Sequence, residues 1–446
     1  MGHPDLVLIS VLGTGYLGAT HAACLAACGH TVVGVDTDAE RVALLRRGRA
    51  PFHEPGLDDL LDDGARSGRL HFSDDIDEAV GARVHFLCVG TPQALDGDAA
   101  DLSALHSVLE ALATRLTEPC LVVGKSTVPV GTAAVLREQL HALAPAGEGV
   151  SLAWNPEFLR EGRAVHDSLE PDRLVFGVES DEDSQLLREV YAELIARGVR
   201  VLRTDLPTAE LAKVSANAML AARVSLVNVL AEVCEASGAD VADLTEVLGA
   251  DPRIGSDFLA PGLGYGGGCL PKDTRAFVAR ARELGVAEPA GLLVAVDEVN
   301  IHQRTRTATL AASIADLSRS PRVAVLGGAF KAGSDDVRDS PALAVAADLY
   351  ERGARVLVYD PRASDNIRKA HPELGVVGSV EEAVTGAELV LVLTEWPEFS
   401  SLDPVDLGRL VVRRAVIDAR LALDADKWRA AGWEFHALGR GAAAVA

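Results

Sequence analysis

The chain has 446 residues, too many for a single hydrophobic core, so two or three domains are expected. With 48% hydrophobic and 24% charged residues the composition is that of a folded globular protein, which argues against a disordered chain. A formal net charge of −23, with no basic tract, argues against nucleic acid and membrane surfaces as partners, and any anionic ligand must be held by a local cluster of Lys and Arg.

No charged region at the start leads into a long apolar stretch. The apolar run from Leu6 to Leu12 is strand-sized, and about eighteen uninterrupted apolar residues occur nowhere, so a cytoplasmic protein is expected. LVLISVLG, a helix from about Leu17 to Cys28, and HTVVGVD make a strand–helix–strand unit. Gly13, Gly15 and Gly18, interleaved with Tyr16 and Leu17, follow the first strand and open the helix, and Asp36 ends the second strand. Such glycines permit a tight turn and let a pyrophosphate approach the helix N-terminus, where unsatisfied N–H groups and the dipole favour an anion. Asp36 suits the hydroxyls of an adenosine ribose and repels a 2′-phosphate, which predicts NAD rather than NADP. VHFLCVGTP and LVVGKSTVP read as further buried strands, so the sheet is expected to be parallel and covered on both faces. NPEFLREG (155–162) begins just past the strand VSLAW, at the edge where α/β sheets carry ligands.

From Pro207 a run with apolar residues at spacings of three and four reads as one long helix stopping at Gly238. Apolar residues surround much of it, which predicts packing against another subunit. Lys213 and Asn217 share one face; a Lys on such a helix either reaches out to solvent or holds an anion. The segment GLGYGGGCLPKD (262–273) has too many glycines for a core and places Cys269 just before a helix opened by Pro271. The helix N-terminus and nearby Lys272 favour a thiolate there. Four of the other cysteines read as small core residues, and no CxxC pair occurs, so neither a disulfide framework nor a metal site is expected.

After a linker at 318–322 the opening pattern returns in RVAVLGGAFK, ARVLVYDP, ELVLVLTEWPEF and AVIDAR, with Asp360 ending the second strand. The expected fold is α/β: two Rossmann-like, doubly wound parallel-sheet domains joined by a central all-helical domain with one long helix. The boundaries are 1–205, 206–300 and 301–446. The last domain has only Gly327-Gly328 in place of the full glycine fingerprint.

Taken in order, GTGYLG, EPGL (54–57), KSTVP (125–129), NPEFLREG, AKVSANA (212–218), DPRIG (251–255), GYGGGCLPKD, FKAGSDDVRDSP (330–341) and DAR (418–420) closely resemble the UDP-glucose/GDP-mannose dehydrogenase family. The resemblance implies oxidation of a nucleotide-sugar C6 hydroxyl to a carboxylate by two NAD molecules, with the last domain holding the nucleotide sugar. UDP-glucose is the expected substrate; TDP-glucose or GDP-mannose would use the same chemistry, and a single-hydride β-hydroxyacid dehydrogenase is the remote alternative. The first hydride transfer leaves an aldehyde, to which a nucleophile must add before a second hydride can depart. Cys269 would form that thiohemiacetal, and the resulting thioester would be hydrolysed.

In family terms Lys213 would stabilise the developing alkoxide or act with water as base in the first step, Asn217 would help hold that oxygen, Asp273 and Thr127 would position water, and Glu157 would be the general base for hydrolysis. Asp36, Arg41, Thr91, Ser126, Glu161, Lys272 and Arg338 join the glycine turn as NAD contacts. Substrate contacts come from Phe158, Leu159 and Arg160, from the loop carrying Phe258, Leu259, Gly262, Tyr265 and Gly266, and from Lys331 and Arg420. Arg253 resembles a residue lent by a neighbouring subunit, which implies a homodimer at least. Two departures stand out: Gly268 where the family commonly has Ser, and Ala260 where some members have Lys.

Overall fold

The computed structural model describes residues 7–440; Leu6 and the outer ends of the first and third expected domains lie outside them. The chain forms two compact units that divide at Ala216 and Asn217.

The first unit is built on eight strands: β1 (Leu8–Leu12), β2 (Thr31–Val35), β3 (Leu70–Ser73), β4 (Val84–Leu87), β5 (Cys120–Gly124), β6 (Val150–Trp154), β7 (Arg173–Gly177) and β8 (Arg200–Thr204). Their order is β3-β2-β1-β4-β5-β6-β7-β8. The uninterrupted apolar strands follow from burial on both faces. Val122 and Val123 are neighbours on β5, yet they belong to different apolar clusters, one on each side of the sheet. The order reverses between β1 and β4, and the crevice at such a switch point is where open α/β sheets bind ligands.

The sheet is parallel from β3 through β6, as expected, and departs from that at one step: β6 and β7 pair antiparallel through Trp154 and Gly177, while β7 and β8 run parallel to each other. An antiparallel step needs no crossover. Residues 155–172, which carry NPEFLREG, therefore leave and rejoin the sheet on one edge, the edge at the carboxyl end of β6.

The long helix spans Leu206–Ser237, 32 residues and roughly 48 Å at 1.5 Å per residue. It is long and apolar enough to cross a membrane, with a mean hydropathy of 1.4 over its most apolar window. Its polar side chains, however, are engaged by the protein on both sides of the unit boundary. Glu210 accepts the Gly131 and Ala133 amides, whereas Asn228 accepts the Gly262 amide and Ser225 donates to the Val296 carbonyl.

The second unit carries β9 (Arg322–Leu326), β10 (Arg355–Tyr359), β11 (Gly375–Val376), β12 (Leu389–Val392), β13 (Ala415–Asp418) and β14 (Glu434–Ala437) in the order β11-β10-β9-β12-β13-β14. Every pair in it is parallel. The same reversal of order recurs, between β9 and β12. Asp360, just past β10, accepts the amides of Gly328 and Ala329 at 2.8 and 2.9 Å, so the short glycine turn of this unit spends those donors internally.

Candidate active site

The three glycines after β1 do different work. Gly13 has φ +88°, and a Cβ there would press on Val89 at 2.8 Å. At Gly18 a Cβ would lie 1.8 Å from the Gly13 carbonyl oxygen, so only glycine lets the helix pack this closely. Gly15 is the exception, since a Cβ there would meet nothing within 4 Å. The protein leaves that space open at the cap of the helix Tyr16–Ala27, where the first amides can serve an external anion. These residues fit a dinucleotide pyrophosphate.

Asp36 is buried and accepts the Thr14 amide at 2.6 Å, the Asp38 amide at 3.0 Å and the Arg41 guanidinium at 2.9 Å. Burial pushes its carboxyl up, but the two amides and Arg41 outweigh burial and hold it below the usual range. Beyond β4 and β5, the Thr91 hydroxyl donates to the Thr127 carbonyl at 2.7 Å and the Ser126 hydroxyl to the Val89 carbonyl at 2.6 Å, tying the two strand ends together. Tyr16, next to half-buried Leu17, donates to Glu54, and the Gly162 amide donates to the Tyr16 hydroxyl and to Glu54, both at 2.9 Å. Glu54 thereby fastens NPEFLREG to the glycine turn.

Within NPEFLREG, Glu157 pairs with Lys213 at 2.8 Å, their side chains 12% and 6% exposed. Lys213 is turned away from solvent onto the Glu157 carboxylate. Glu157 also accepts the Leu159 amide at 2.6 Å. Burial drives its carboxyl up, yet Lys213, the Leu159 amide and Lys125 together bring it below the ordinary value. Phe158 lies under the Arg173 guanidinium, 3.9 Å from its ring centre. Arg160 is turned onto Asp167, which it grips with two nitrogens at 2.8 and 2.7 Å, and Glu161 beside it is half-buried.

In the second unit, Cys269 caps the helix Leu270–Glu283, with Pro271 in the first turn, as the sequence implies. It alone among the six cysteines is exposed. One turn on, Asp273 is 2% exposed and accepts hydrogen bonds from Asn217 Nδ2 at 2.7 Å and from Lys272 Nζ at 2.6 Å. The Lys272 ammonium thus serves this carboxylate, a partner that spacing alone did not suggest.

The glycine-rich loop is held by residues that the sequence reading did not single out. Asn300, fully buried, clamps Tyr265 by accepting its amide at 2.7 Å and donating to its carbonyl at 3.0 Å. Gly264 leaves room for it, since a Cβ there would lie 2.1 Å from the Asn300 side chain. Asn228 accepts the Gly262 amide at 2.9 Å. A polar side chain on the largely apolar long helix is the available signal for Asn228; Asn300 lies among Asp297, Glu298, His302 and Gln303 on its helix, and nothing there singles it out.

Gly266 and Gly267 abut the segment after β9: a Cβ on Gly266 would lie 2.4 Å from the Asp339 carbonyl, and the Gly267 amide donates to the Arg338 carbonyl at 2.9 Å. At Gly268, the departure from the family pattern, a Cβ would lie 2.3 Å from the Arg338 guanidinium. Phe258 takes a left-handed φ of +59°, and Leu259 beside it is buried. Lys331 and Arg420 flank Phe330: the Lys331 ammonium is 5.4 Å from its ring centre, and Arg420 donates to its carbonyl at 3.5 Å and to the Leu393 carbonyl at 3.0 Å. Arg253 stands apart on an exposed turn, with its side chain 87% exposed and paired with Asp251.

An open space for pyrophosphate at the first helix, with a buried acid at the end of the next strand, defines an NAD-dependent dehydrogenase. The comparisons with known proteins give the family. The chain belongs to the UDP-glucose/GDP-mannose dehydrogenase family, whose NAD binding domain matches residues 7–195, central domain residues 207–302 and UDP binding domain residues 324–425. It is 42% identical to a UDP-glucose 6-dehydrogenase of Haloferax volcanii, over 92% of this chain and 98% of that one. Among solved structures it is similar to a UDP-glucose dehydrogenase from Pyrobaculum islandicum, with a TM-score of 0.90 at 35% identity over 99% of each chain. It is also similar to a UDP-D-ManNAc dehydrogenase from Pyrococcus horikoshii, with a TM-score of 0.86 at 29% identity, covering 97% of this chain and 99% of that one.

Proposed function

We propose that this enzyme oxidises the C6 hydroxyl of UDP-glucose to the carboxylate of UDP-glucuronate, consuming two NAD and one water. The observation that carries the reading is Cys269, the one exposed cysteine of the six, at a helix N-terminus one turn before a buried and doubly hydrogen-bonded Asp273. A helix N-terminus favours a thiolate, and a single-hydride dehydrogenase has no use for one.

In the first step the C6 hydroxyl loses its proton to water, Lys213 and Asn217 stabilise the alkoxide, and bound NAD would accept the hydride. Cys269 sulfur then bonds to the aldehyde carbon, and the thiohemiacetal oxygen gives up its proton as the second hydride departs, leaving a thioester. Glu157 takes a proton from water, whose oxygen attacks the acyl carbon, and the C–S bond breaks to return the thiolate. Asp273 and Thr127 orient that water. NAD would supply the hydride acceptor and would be held by Gly13, Gly15, Gly18 and Asp36 with Arg41, Thr91, Ser126, Glu161, Lys272 and Arg338. The loop 258–266, residues 158–160, Lys331 and Arg420 receive the nucleotide sugar.

The division 1–205, 206–300 and 301–446 assigns the long helix to a dimerising middle. Met219, Leu226 and Val233 recur every seven residues along it and are 71%, 60% and 57% exposed, an apolar stripe suited to a second copy. In that dimer Arg253 reaches the partner's substrate. The cytoplasm, where UDP-sugars and NAD are found together, is its compartment.

Steady-state rates with UDP-, TDP-, GDP- and ADP-linked sugars, with NADH counted per sugar consumed, test this reading. Preference for UDP-glucose with two NADH per sugar supports it; one NADH per sugar contradicts it. Preference for another base moves the substrate but keeps the chemistry.

A further inference from the structure

Behind NPEFLREG lies a small cavity of about 60 Å³ whose walls include Glu157, Lys125, His21 and Tyr191. Lys125, from KSTVP, has no role in the mechanism above, yet it is only 6% exposed. Its ammonium donates to Asn155 Oδ1 at 2.9 Å and to the Tyr191 hydroxyl at 3.4 Å, and lies 5.9 Å from the ring centres of both Phe86 and Tyr191. Asn155 is itself pinned, accepting from the Tyr191 hydroxyl at 2.6 Å and donating to the Val175 carbonyl at 2.9 Å. A buried ammonium is costly to maintain, and a structural role here could be filled by an apolar side chain.

The neighbouring charges show what the ammonium faces. Glu157 is stabilised as an anion by Lys213 and by Lys125. Cys88, also close to Lys125, is kept a neutral thiol by burial, which pushes it up to about 12. His21 is held neutral by burial and by Lys125, and Tyr191 is kept protonated by burial. Across the cavity Arg160 and Asp167 neutralise each other, Arg173 lies over Phe158, and Glu170 and Asp172 are exposed at the mouth, where solvent screens them. After Lys213, Lys125 is the next cation acting on Glu157, and both Lys125 and Glu157 line this cavity. Burial brings Lys125 down to about 8, so at neutral pH it still carries its charge.

We infer that Lys125 is a positioning residue for thioester hydrolysis, the second counter-charge that keeps Glu157 ionised when Lys213 is drawn away to the substrate oxygen. Lys213 is given two anions to serve, the carboxylate it touches here and the substrate oxygen, which is negative in the first step and again as water adds to the thioester. When it serves the second, Glu157 would be a buried carboxylate with its main partner withdrawn and would take up a proton. A base already protonated cannot activate water. Lys125, fixed by Asn155 and Tyr191, cannot follow the substrate and so holds the charge in place. The inference rests on Glu157 being the hydrolytic base.

The test is single-turnover release of UDP-glucuronate as a function of pH, in the full-length enzyme and in Lys125→Gln, Lys125→Arg and Glu157→Gln. Loss of the Lys125 charge raises the Glu157 pKa, so the base form disappears sooner as pH falls. Lys125→Gln keeps a donor for Asn155 and is expected to move the acidic limb up by about one pH unit, with KM for UDP-glucose and NAD within roughly twofold of the parent. Lys125→Arg is expected to restore the parent profile. If Lys125→Gln does not fold, Asn155→Asp reads the same quantity, because a carboxylate beside Lys125 neutralises it and moves the limb the same way. A parent-like acidic limb in whichever of these two variants is measured overturns the inference, provided that Glu157→Gln slows hydrolysis. Parent-like hydrolysis in Glu157→Gln instead removes Glu157 as the base, and with it the reading on which the inference stands.

Discussion

Asn217 Nδ2 donates to Asp273 Oδ2 at 2.7 Å, joining the long helix to the first turn of the helix that Cys269 caps, with both side chains buried. The pairing works because an amide donates where a second carboxylate could not. Asn217→Asp, the same shape with the opposite preference, places two carboxylates in contact. One must then hold a proton, so its pKa rises above the unfolded value. A raised acid pKa stabilises the fold below it and costs stability above it. Thermal unfolding of Asn217→Asp is therefore expected to show a deficit of about 3 kcal/mol at pH 8 that shrinks as the pH falls towards 5. A deficit independent of pH would mean that the two groups do not share a proton.

Gly15 and Gly18 separate cofactor binding from folding. A methyl at 15 has open space, whereas one at 18 meets a carbonyl oxygen at 1.8 Å. Gly15→Ala is expected to melt within about 1 kcal/mol of the parent while NAD affinity falls by roughly tenfold or more, because the added methyl occupies the pyrophosphate position. Gly18→Ala is expected to lose at least about 2 kcal/mol of stability. Paired thermal melts and NAD titrations distinguish the two, and normal NAD binding by Gly15→Ala would move the pyrophosphate elsewhere.

The Asp36–Arg41 pair predicts how cofactor choice can be changed. Asp36 keeps Arg41 occupied at 2.9 Å and would repel a 2′-phosphate. Asp36→Ser removes the repulsion and releases the guanidinium for the phosphate. The ratio of kcat/KM for NAD over NADP is expected to fall by about 10- to 100-fold, matching the loss of one or two charge-assisted hydrogen bonds. An unchanged ratio would show that Asp36 does not face the ribose.

Much of this was legible in the sequence. The apolar strands, the glycine turn with Asp36, the long helix from Leu206 to Ser237 and the cap position of Cys269 follow from periodicity and turn chemistry, which act locally. The antiparallel step at β7 was not legible, because strand direction depends on where residues 155–172 return, and no local pattern encodes that. The partners of site residues were equally hidden. Nothing in the spacing says that Lys272 serves Asp273, that Arg160 turns onto Asp167, or that Asn300 clamps Tyr265 from a helix thirty-five residues away. In the sequence Gly268 shows only as a glycine where the family commonly has Ser; in the fold a Cβ there would lie 2.3 Å from the Arg338 guanidinium.

The central claim is that the Cys269 sulfur captures the C6 aldehyde, and Cys269→Ser tests it most directly. UDP-glucuronate formed by this variant from UDP-glucose and NAD is measured beside UDP-glucose binding. The account predicts parent-like binding, because serine keeps nearly the size of cysteine at the helix cap, with acid formation reduced roughly a thousandfold or more. Parent-like production of UDP-glucuronate, at two NADH per sugar, would contradict it.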